Sequence, residues 1–332
     1  MDYVVSFHSV DFDRSSRNRL LCLLLLALKP PRSHKERPGI LVAFWSMDPL
    51  KRLQLDEKMD LRLASSLALR FYADSRPHTF QTGVLHKGAI VVCNGAELVE
   101  EGLGIGVPVC KYQDGTRFSL SADTFLDDSD ENPTLIKIYD MNGIASKRFR
   151  GLPIRRGSSL ARLLKVLEKG YRSLRRFRTV ATVMLGSLSL FGMRNEYLES
   201  PSKGQVAVTY RRNGRGLHIE AALDELSREG LQSIIFANEQ GGRLFNEYED
   251  STGIRLHDTQ IEPWRTTQAE WASLRSRAFG VGFRLNRPSG WLMVRGREVV
   301  RNRISWSGLD LSCGELPQKL EYLVEIAGEC VS

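Results

Sequence analysis

A chain of 332 residues, 42% hydrophobic and 26% charged, has the apolar content of one large β domain or two ordinary domains and excludes a fibrous or disordered protein. The formal charge of +8 gathers between residues 147 and 178, where twelve Lys and Arg face the single acid Glu168, so a uniformly basic surface is excluded too. Cys22, Cys93, Cys110, Cys313 and Cys330 include no C-x-x-C pair, which argues against a zinc knuckle and a disulfide framework and suits a reducing cytoplasm.

The elements begin with "LLCLLLLAL" at 20–28, an apolar run too short to span a bilayer and followed by basic, Pro-rich "KPPRSHKERPG" without a small-x-small cleavage site. Three readings stand: a signal-peptide core, a short buried helix, or a segment outside the mature protein with translation starting at Met47. Residues 1–46 are therefore expected to be an N-terminal extension, poorly ordered or not native, with a short helical region, and 47–332 a single large β-sandwich domain with the helix at 158–178 inserted. Leu61, Leu63, Leu67, Leu69 and Phe71 fit either a short helix or a strand.

From Thr79 the pattern is β. Asn94-Gly95 between apolar runs predicts a hairpin, and Gln113-Asp114-Gly115 predicts a second between two alternating segments. "LIKIYDMNGIASKRF" reads as strand, Asn142-Gly143 turn, strand. The period then changes: Leu160, Leu163, Leu164, Leu167, Tyr171 and Leu174 predict an amphipathic helix over 158–178, capped by Ser158 or Ser159. Its outer face is Arg162, Lys165, Lys169, Arg172, Arg175 and Arg176, and it is followed by a buried apolar element, "TVATVMLGSLSLFG". After Pro201, Asn213-Gly214 predicts another hairpin. Strands are expected at 233–237, 253–256, 281–285, 291–294 and 305–311. Turn signals every 8–12 residues predict a large antiparallel β-sandwich of supersandwich type over about 79–315, with the basic helix inserted.

Four features bear on function. In "EEGLGIGVPVCKY" the spacing is G-x-G-x-G and Val107-Pro108-Val109 follows, so neither a dinucleotide fingerprint nor a P-loop is present. Gly104 and Gly106 then serve a bulge or corner, or a backbone surface approached by another ligand. Next, Ala237–Leu274 is dense in carboxylates and flat aromatics. Glu239, Glu247, Asp250 and Glu262 are candidate catalytic carboxylates, and Tyr248, Trp264, Trp271 and Arg243 candidate ligand contacts. Sugar recognition uses such sets, because aromatic faces stack on apolar sugar faces while carboxylates accept hydroxyl hydrogen bonds or act as acid and base. The competing reading is a solvated set of loops around two core tryptophans.

"DSTG" at Asp250 has one residue too many for the aspartic-protease triplet and no second copy. Six scattered histidines support no metal site, and no cofactor is expected. The basic helix, finally, is either a solvated face or a dock for nucleic acid, acidic lipid or an acidic protein. Two hypotheses result: a carbohydrate or polar-ligand binder with or without enzymatic action, and a non-enzymatic module that binds an anionic partner through 158–178. Neither needs a transmembrane segment, and oligomeric state is left open.

"EGLGIGVPVCKY", "ANEQGG" and "RISWSGLDLS" resemble motifs of β-rich prokaryotic, especially archaeal, proteins without assigned activity, over roughly Met47 to the C-terminus. The layout is also similar in style to mutarotase-like and polysaccharide-lyase sandwiches. That likeness implies a fold and transfers no catalytic residue.

Overall fold

The computed structural model describes residues 51–52, 57–73, 88–99, 103–127, 133–149, 152–153, 193–301, 304–314 and 317–330. The chain divides into two units, Met1–Ala43 and Phe44–Ser332, and every described residue belongs to the second. The N-terminal apolar run, the basic helix 158–178 and the apolar stretch after it all lie outside the described residues. So do Arg162, Lys165, Lys169, Arg172, Arg175 and Arg176.

The described strands are, in order, β1 (Lys51–Arg52), β2 (Lys58–Arg62), β3 (Leu67–Tyr72), β4 (Ile90–Cys93), β5 (Ala96–Glu97), β6 (Ile105–Tyr112), β7 (Gly115–Phe118) and β8 (Ala122–Asp127). Next come β9 (Thr134–Asp140), β10 (Gly143–Phe149), β11 (Leu152–Pro153), β12 (Met193–Glu199), β13 (Gln205–Asn213), β14 (Gly216–Ala222), β15 (Leu231–Gln240) and β16 (Glu247–Asp250). The last are β17 (Arg255–His257), β18 (Arg265–Thr267), β19 (Trp271–Ser276), β20 (Val281–Asn286), β21 (Leu292–Arg301), β22 (Ile304–Cys313) and β23 (Lys319–Gly328). One 3-10 turn, Asp258–Gln260, is the sole helical element among the described residues.

These strands make three antiparallel sheets. The first runs β1-β8-β9-β13-β14-β23-β20-β19-β16-β17, and the second β11-β10-β7-β6-β15-β22-β21-β18, with β12 also on β10. A small sheet runs β2-β3-β4-β5. Mainly-β architecture is thus as expected, and the helix-or-strand segment at 61–71 is two strands.

Alternation explains how the sheets pack. In β23 Leu320, Tyr322, Val324 and Ile326 are buried, whereas Lys319, Glu321 and Glu325 are exposed. In the second sheet Phe236, Leu309, Leu311 and Met293 share the buried face through register pairs Phe236↔Leu311 and Met293↔Leu311. The two inner faces meet: the Phe236 ring lies 6.2 Å from Tyr322 and 6.1 Å from Trp291. Phe71 brings the small sheet into the same core, 5.0 Å from Tyr210. Each such side chain, fully buried, stabilises the fold by about 1.5–3 kcal/mol before chain entropy is charged against it.

Two sequence expectations are corrected here. Asn142-Gly143 joins no hairpin: β9 pairs β8 and β13 in the first sheet, while β10 pairs β7, β11 and β12 in the second. The pair is a corner where the chain changes sheets. Asn142 Oδ1 accepts the Leu120 N–H at 3.3 Å, and a Cβ on Gly143 would come 2.8 Å from the Phe118 carbonyl oxygen. The sandwich also does not stop near 315, since β23 is central in the first sheet, between β14 and β20. The other turns form as read. Asn94 and Gly95 have φ of 50° and 80°, and Tyr112↔Gly115 and Asn213↔Gly216 close tight hairpins.

The cysteine expectation is corrected as well. Cys93 on β4 and Cys330, just past β23, form a disulfide with Cα atoms 5.7 Å apart across 237 residues of sequence. That spacing suits a bridge, and it removes the cysteine argument for a reducing compartment. Among the described residues no helix is long and apolar enough to cross a membrane.

Candidate functional site

The glycine-rich stretch proves to be the frame of the site. Along β15 and β6 the register runs Ala237↔Val107 and then Asn238↔Ile105, so Gly106 is an extra residue, a β-bulge. Gly104 and Gly106 both have φ of +86°, a conformation that a side chain resists. A Cβ on Gly106 would lie 2.7 Å from Tyr210 Cε1, and one on Gly104 2.9 Å from the Gly88 carbonyl carbon. Their near neighbours are therefore this chain's own groups, which explains the glycines without a ligand lying on them.

The bulge is fixed by buried polar groups. Gly106 N–H donates to Asn238 Oδ1 at 3.1 Å, and the Tyr210 hydroxyl donates to the Gly106 carbonyl at 2.8 Å. Asn238 Oδ1 also accepts from the Tyr322 hydroxyl at 3.0 Å, while its amide nitrogen donates to the Phe236 and Leu309 carbonyls. One side-chain amide thus ties β6, β15, β22 and β23, with all of its hydrogen-bonding capacity used.

On the other side of β15 the ladder to β22 is interrupted between Phe236↔Leu311 and Glu239↔Gly308. There the Asn238 N–H donates to Asp310 Oδ1 at 3.1 Å. Asp310, Gly308 and Trp306 lie on one face of β22, and Val294, Gly296 and Glu298 oppose them on β21. Glu239 joins this face through its pairing with Gly308. The outer face of the second sheet therefore gathers three carboxylates, Glu239, Glu298 and Asp310, from three strands.

Trp264, just before β18, covers the same spot. A Cβ on Gly296 would come within 2.5 Å of its Cγ and Cε3. A Cβ on Gly308 would meet Trp264 Cη2 at 2.9 Å and Glu239 Cγ at 3.0 Å. The paired glycines are a seat for the indole, and Glu239 stands beside it. The ring lies against the sheet, and Trp264 is half-buried.

Electrostatics set these acids apart. Burial raises the Glu239 carboxyl to about 7; the Leu103 N–H lowers it and the charge of Glu298 raises it further. Asp310 is raised well above the usual range, by burial first and then by Glu239, against the Asn238 N–H and Lys111. Glu239 raises Asp310, and like charges that interact resist ionising together, so near neutral pH the pair holds a proton. One protonated and one ionised carboxyl of an interacting pair can act as general acid and general base.

The other candidates are not brought to this face. Asp250 is buried, and burial raises its pKa, but the Thr252 hydroxyl, the Tyr248 hydroxyl at 2.6 Å and the Thr252 and Ile254 N–H groups outweigh that and hold it low. It closes the 250–254 turn and is spent as a structural acceptor. Tyr248 is buried, with the Arg295 guanidinium 5.0 Å above its ring. Glu262 pairs with buried Arg297 at 3.3 Å, which also meets Asp258 at 3.4 Å. Arg243 is exposed at the end of β15, its N–H on Ser305 Oγ. Glu247 and Trp271 stand on the outer face of the first sheet, where Arg284 lies 4.1 Å over the indole. The cluster written as one stretch of sequence is divided among two outer faces and the core.

Asp310, Glu298 and Lys111 were missed. The signal was present in "RISWSGLDLS": on an alternating strand Trp306, Gly308 and Asp310 fall on one face, an aromatic, a gap and an acid in sequence positions two apart.

No family model matches the chain, and neither does any curated protein. Solved structures of similar outline exist. Slr1438 from Synechocystis sp. PCC 6803 is 11% identical, at a TM-score of 0.37, over 83% of this chain and 97% of that one. A galactose mutarotase-like protein from Lactobacillus casei is 8% identical, at 0.38, over 83% of this chain and 100% of its own. HI1317 is 8% identical, at 0.32, over 82% and 100%. These likenesses are too distant to carry an argument about the site, and the archaeal likeness expected from the motifs finds no support in them.

Proposed function

We propose that this protein binds a neutral, hydroxyl-rich ligand of carbohydrate type on the outer face of the second sheet and moves a proton there. The observation that carries this reading is the seating of Trp264 on Gly296 and Gly308 beside Glu239. The upper face of the indole supplies the stacking surface for an apolar sugar face. Glu298 accepts hydroxyl hydrogen bonds, and the Glu239–Asp310 pair supplies one acidic and one basic carboxyl at neutral pH. The bulge at Gly106 aims Glu239, a use to which bulges next to active sites are put.

A cleft of about 470 Å³ near Asn213, Arg215, Glu325 and Gly328, away from this face, has no aromatic ring in its lining and Glu325 as its one carboxylate. It lacks the means of either stacking or sharing a proton, so the Glu239 face is preferred. The reading in which 158–178 docks an anionic partner concerns residues outside the described ones, and no observation favours it.

The test is a glycan array followed by titration of tryptophan fluorescence with neutral mono- and disaccharides. Binding that is lost in Trp264→Ala and retained in Trp271→Ala supports the reading. A folded protein that answers no sugar, or one that loses binding only with Trp271, refutes it.

A further inference from the structure

The Cys93–Cys330 bridge stands at one end of a short, hydrogen-bonded line to Glu239. On β4, two residues before Cys93, the Val91 N–H donates to Gln240 Oε1 at 3.1 Å. Gln240 Nε2 donates to the Ala89 carbonyl at 3.0 Å. Gln240 is fully buried and is the neighbour of Glu239 on β15. The Ala89 N–H and carbonyl bond Ile105, the Gly88 N–H donates to the Leu103 carbonyl at 2.7 Å, and the Leu103 N–H reaches Glu239 Oε2 at 3.5 Å. The Gly104 carbonyl accepts the Glu239 N–H at 3.1 Å. The strand that the bridge anchors thus holds Glu239 from both sides, through its neighbour's side chain and through the glycine bulge.

The anchoring is of an unusual kind. β4 belongs to a four-stranded sheet that reaches the second sheet through the Ala89–Ile105 bridge, Gln240 and the Leu98 carbonyl, which accepts from Gly241 N–H. Cys330 follows β23, the central strand of the first sheet. The bridge therefore ties the sheet that supports Glu239 to the end of β23 by one covalent bond across 237 residues of sequence.

We propose that the Cys93–Cys330 pair is a redox control on the Glu239 site, closed in the disulfide form and slackened by a small-molecule dithiol. This inference rests on the proton-sharing site described above. In the step, a dithiol's thiolate attacks one bridge sulfur, the S–S bond breaks and a mixed disulfide forms. The donor's second thiolate then releases it, leaving two cysteine thiols here and one oxidised donor, two electrons and two protons having moved. With the bridge open, β4 keeps its hydrogen bonds to Gln240 and its pairing with β3 and β5 but loses its covalent tie to the end of β23, so Gln240 and the Gly88–Ile105 segment gain freedom and water reaches Glu239 more freely. The groups that face Glu239 are Asp310, Glu298, the Leu103 N–H and, through Asp310, Lys111. Less burial relieves the largest of the effects that hold its proton on.

The first measurement counts thiols. Full-length protein purified without reductant is alkylated in denaturant, weighed and peptide-mapped before and after dithiothreitol. Two fewer alkylated cysteines before reduction, at Cys93 and Cys330, are expected; a full complement overturns the proposal. Buried Cys110, whose thiol is pushed up to about 12 by burial, and buried Cys313 serve as internal controls for complete denaturation.

The second measurement reads the coupling without any ligand. Tryptophan emission is followed against pH, with Trp264→Phe subtracting the other indoles. The oxidised protein should show a midpoint near 7, and reduction should move it toward the ordinary carboxylate value of about 4.3. Cys330→Ser should behave as the reduced form, and Gln240→Leu should show the same midpoint in both redox states. An identical midpoint in oxidised and reduced wild type, or none in either, overturns the coupling. A thermal melt of each sample confirms that a shift comes from folded protein. Saccharide titration separates the two readings: the dissociation constant should rise at least about fivefold on reduction. If no saccharide binds in either state while the midpoint still moves, the ligand reading fails and the redox control stands.

Discussion

Asp250 and Glu239 come from the same acidic, aromatic stretch and have opposite fates. Asp250 sits inside the sandwich, where three hydroxyls and two backbone N–H groups donate to it and its pKa is held low. Glu239 stands on the outer face of the second sheet, with one long N–H contact, two acidic neighbours and a pKa near 7. A carboxylate whose oxygens are all engaged is part of the scaffold. One held among other acids on the face of a sheet keeps a proton to exchange, and that poise is what chemistry uses.

Removing each acid in turn separates the scaffold carboxylate from the poised one. Asp250→Ala strips five donor groups of their acceptor and should destabilise the fold by about 3–4 kcal/mol, read as a lower urea midpoint at unchanged m-value. A milder loss would mean that the turn at 250–254 repairs itself with water. Next in size is Gly106→Ala, which meets both an unfavourable φ and the Tyr210 ring; about 2–3 kcal/mol is expected. Gly104 and Gly106 would return as ligand contacts if that variant stayed as stable as wild type while losing saccharide binding.

Glu239→Gln should go the other way, with a sign that depends on pH. Its carboxyl pKa is raised in the folded state, so folding binds a proton, and wild-type stability falls as pH rises from about 4.3, the unfolded value, through 7. Glutamine escapes that loss. The variant should be more stable than wild type by on the order of 1–2 kcal/mol at pH 8 and no more stable below pH 4, as thermal melts at the two pH values will show. An equal effect at both would mean that Glu239 is not raised. The smallest effect belongs to Glu247→Gln. It removes a weak surface partner of His257 at 3.9 Å, should change stability by less than about 0.5 kcal/mol, and should leave saccharide binding as it was.

Much of the scaffold was legible because strands write their faces two residues apart. The hairpins at Asn94-Gly95 and Asn213-Gly214 announce themselves, since few residues accept positive φ. Asn142-Gly143 carried the same mark and misled, because a turn dipeptide specifies a local bend and not which sheet receives the next strand. β23 shows the converse: the alternation of Leu320, Tyr322, Val324 and Ile326 was plain, yet its central place comes from pairing with β14 and β20, far away in sequence. For the site, Glu239 and Trp264 were visible as residue types, while Asp310 was not, because an acid in an apolar strand looks like a solvent-facing position until its neighbours are known.

Local patterning along the chain was enough for the mainly-β class of the fold, the positions of most described strands and turns, and the exclusion of a nucleotide loop at Gly104 and Gly106. These are matters of short-range sterics and of a two-residue period, and both act within a few neighbouring positions. Long-range pairing fixed that Gly106 forms a bulge, that Cys93 meets Cys330, and that Glu239, Asp310 and Trp264 share one face while Asp250, Tyr248 and Trp271 lie elsewhere. Those outcomes depend on which distant strands pair and in what register, and a shift of one residue would have turned every one of these side chains to the opposite face.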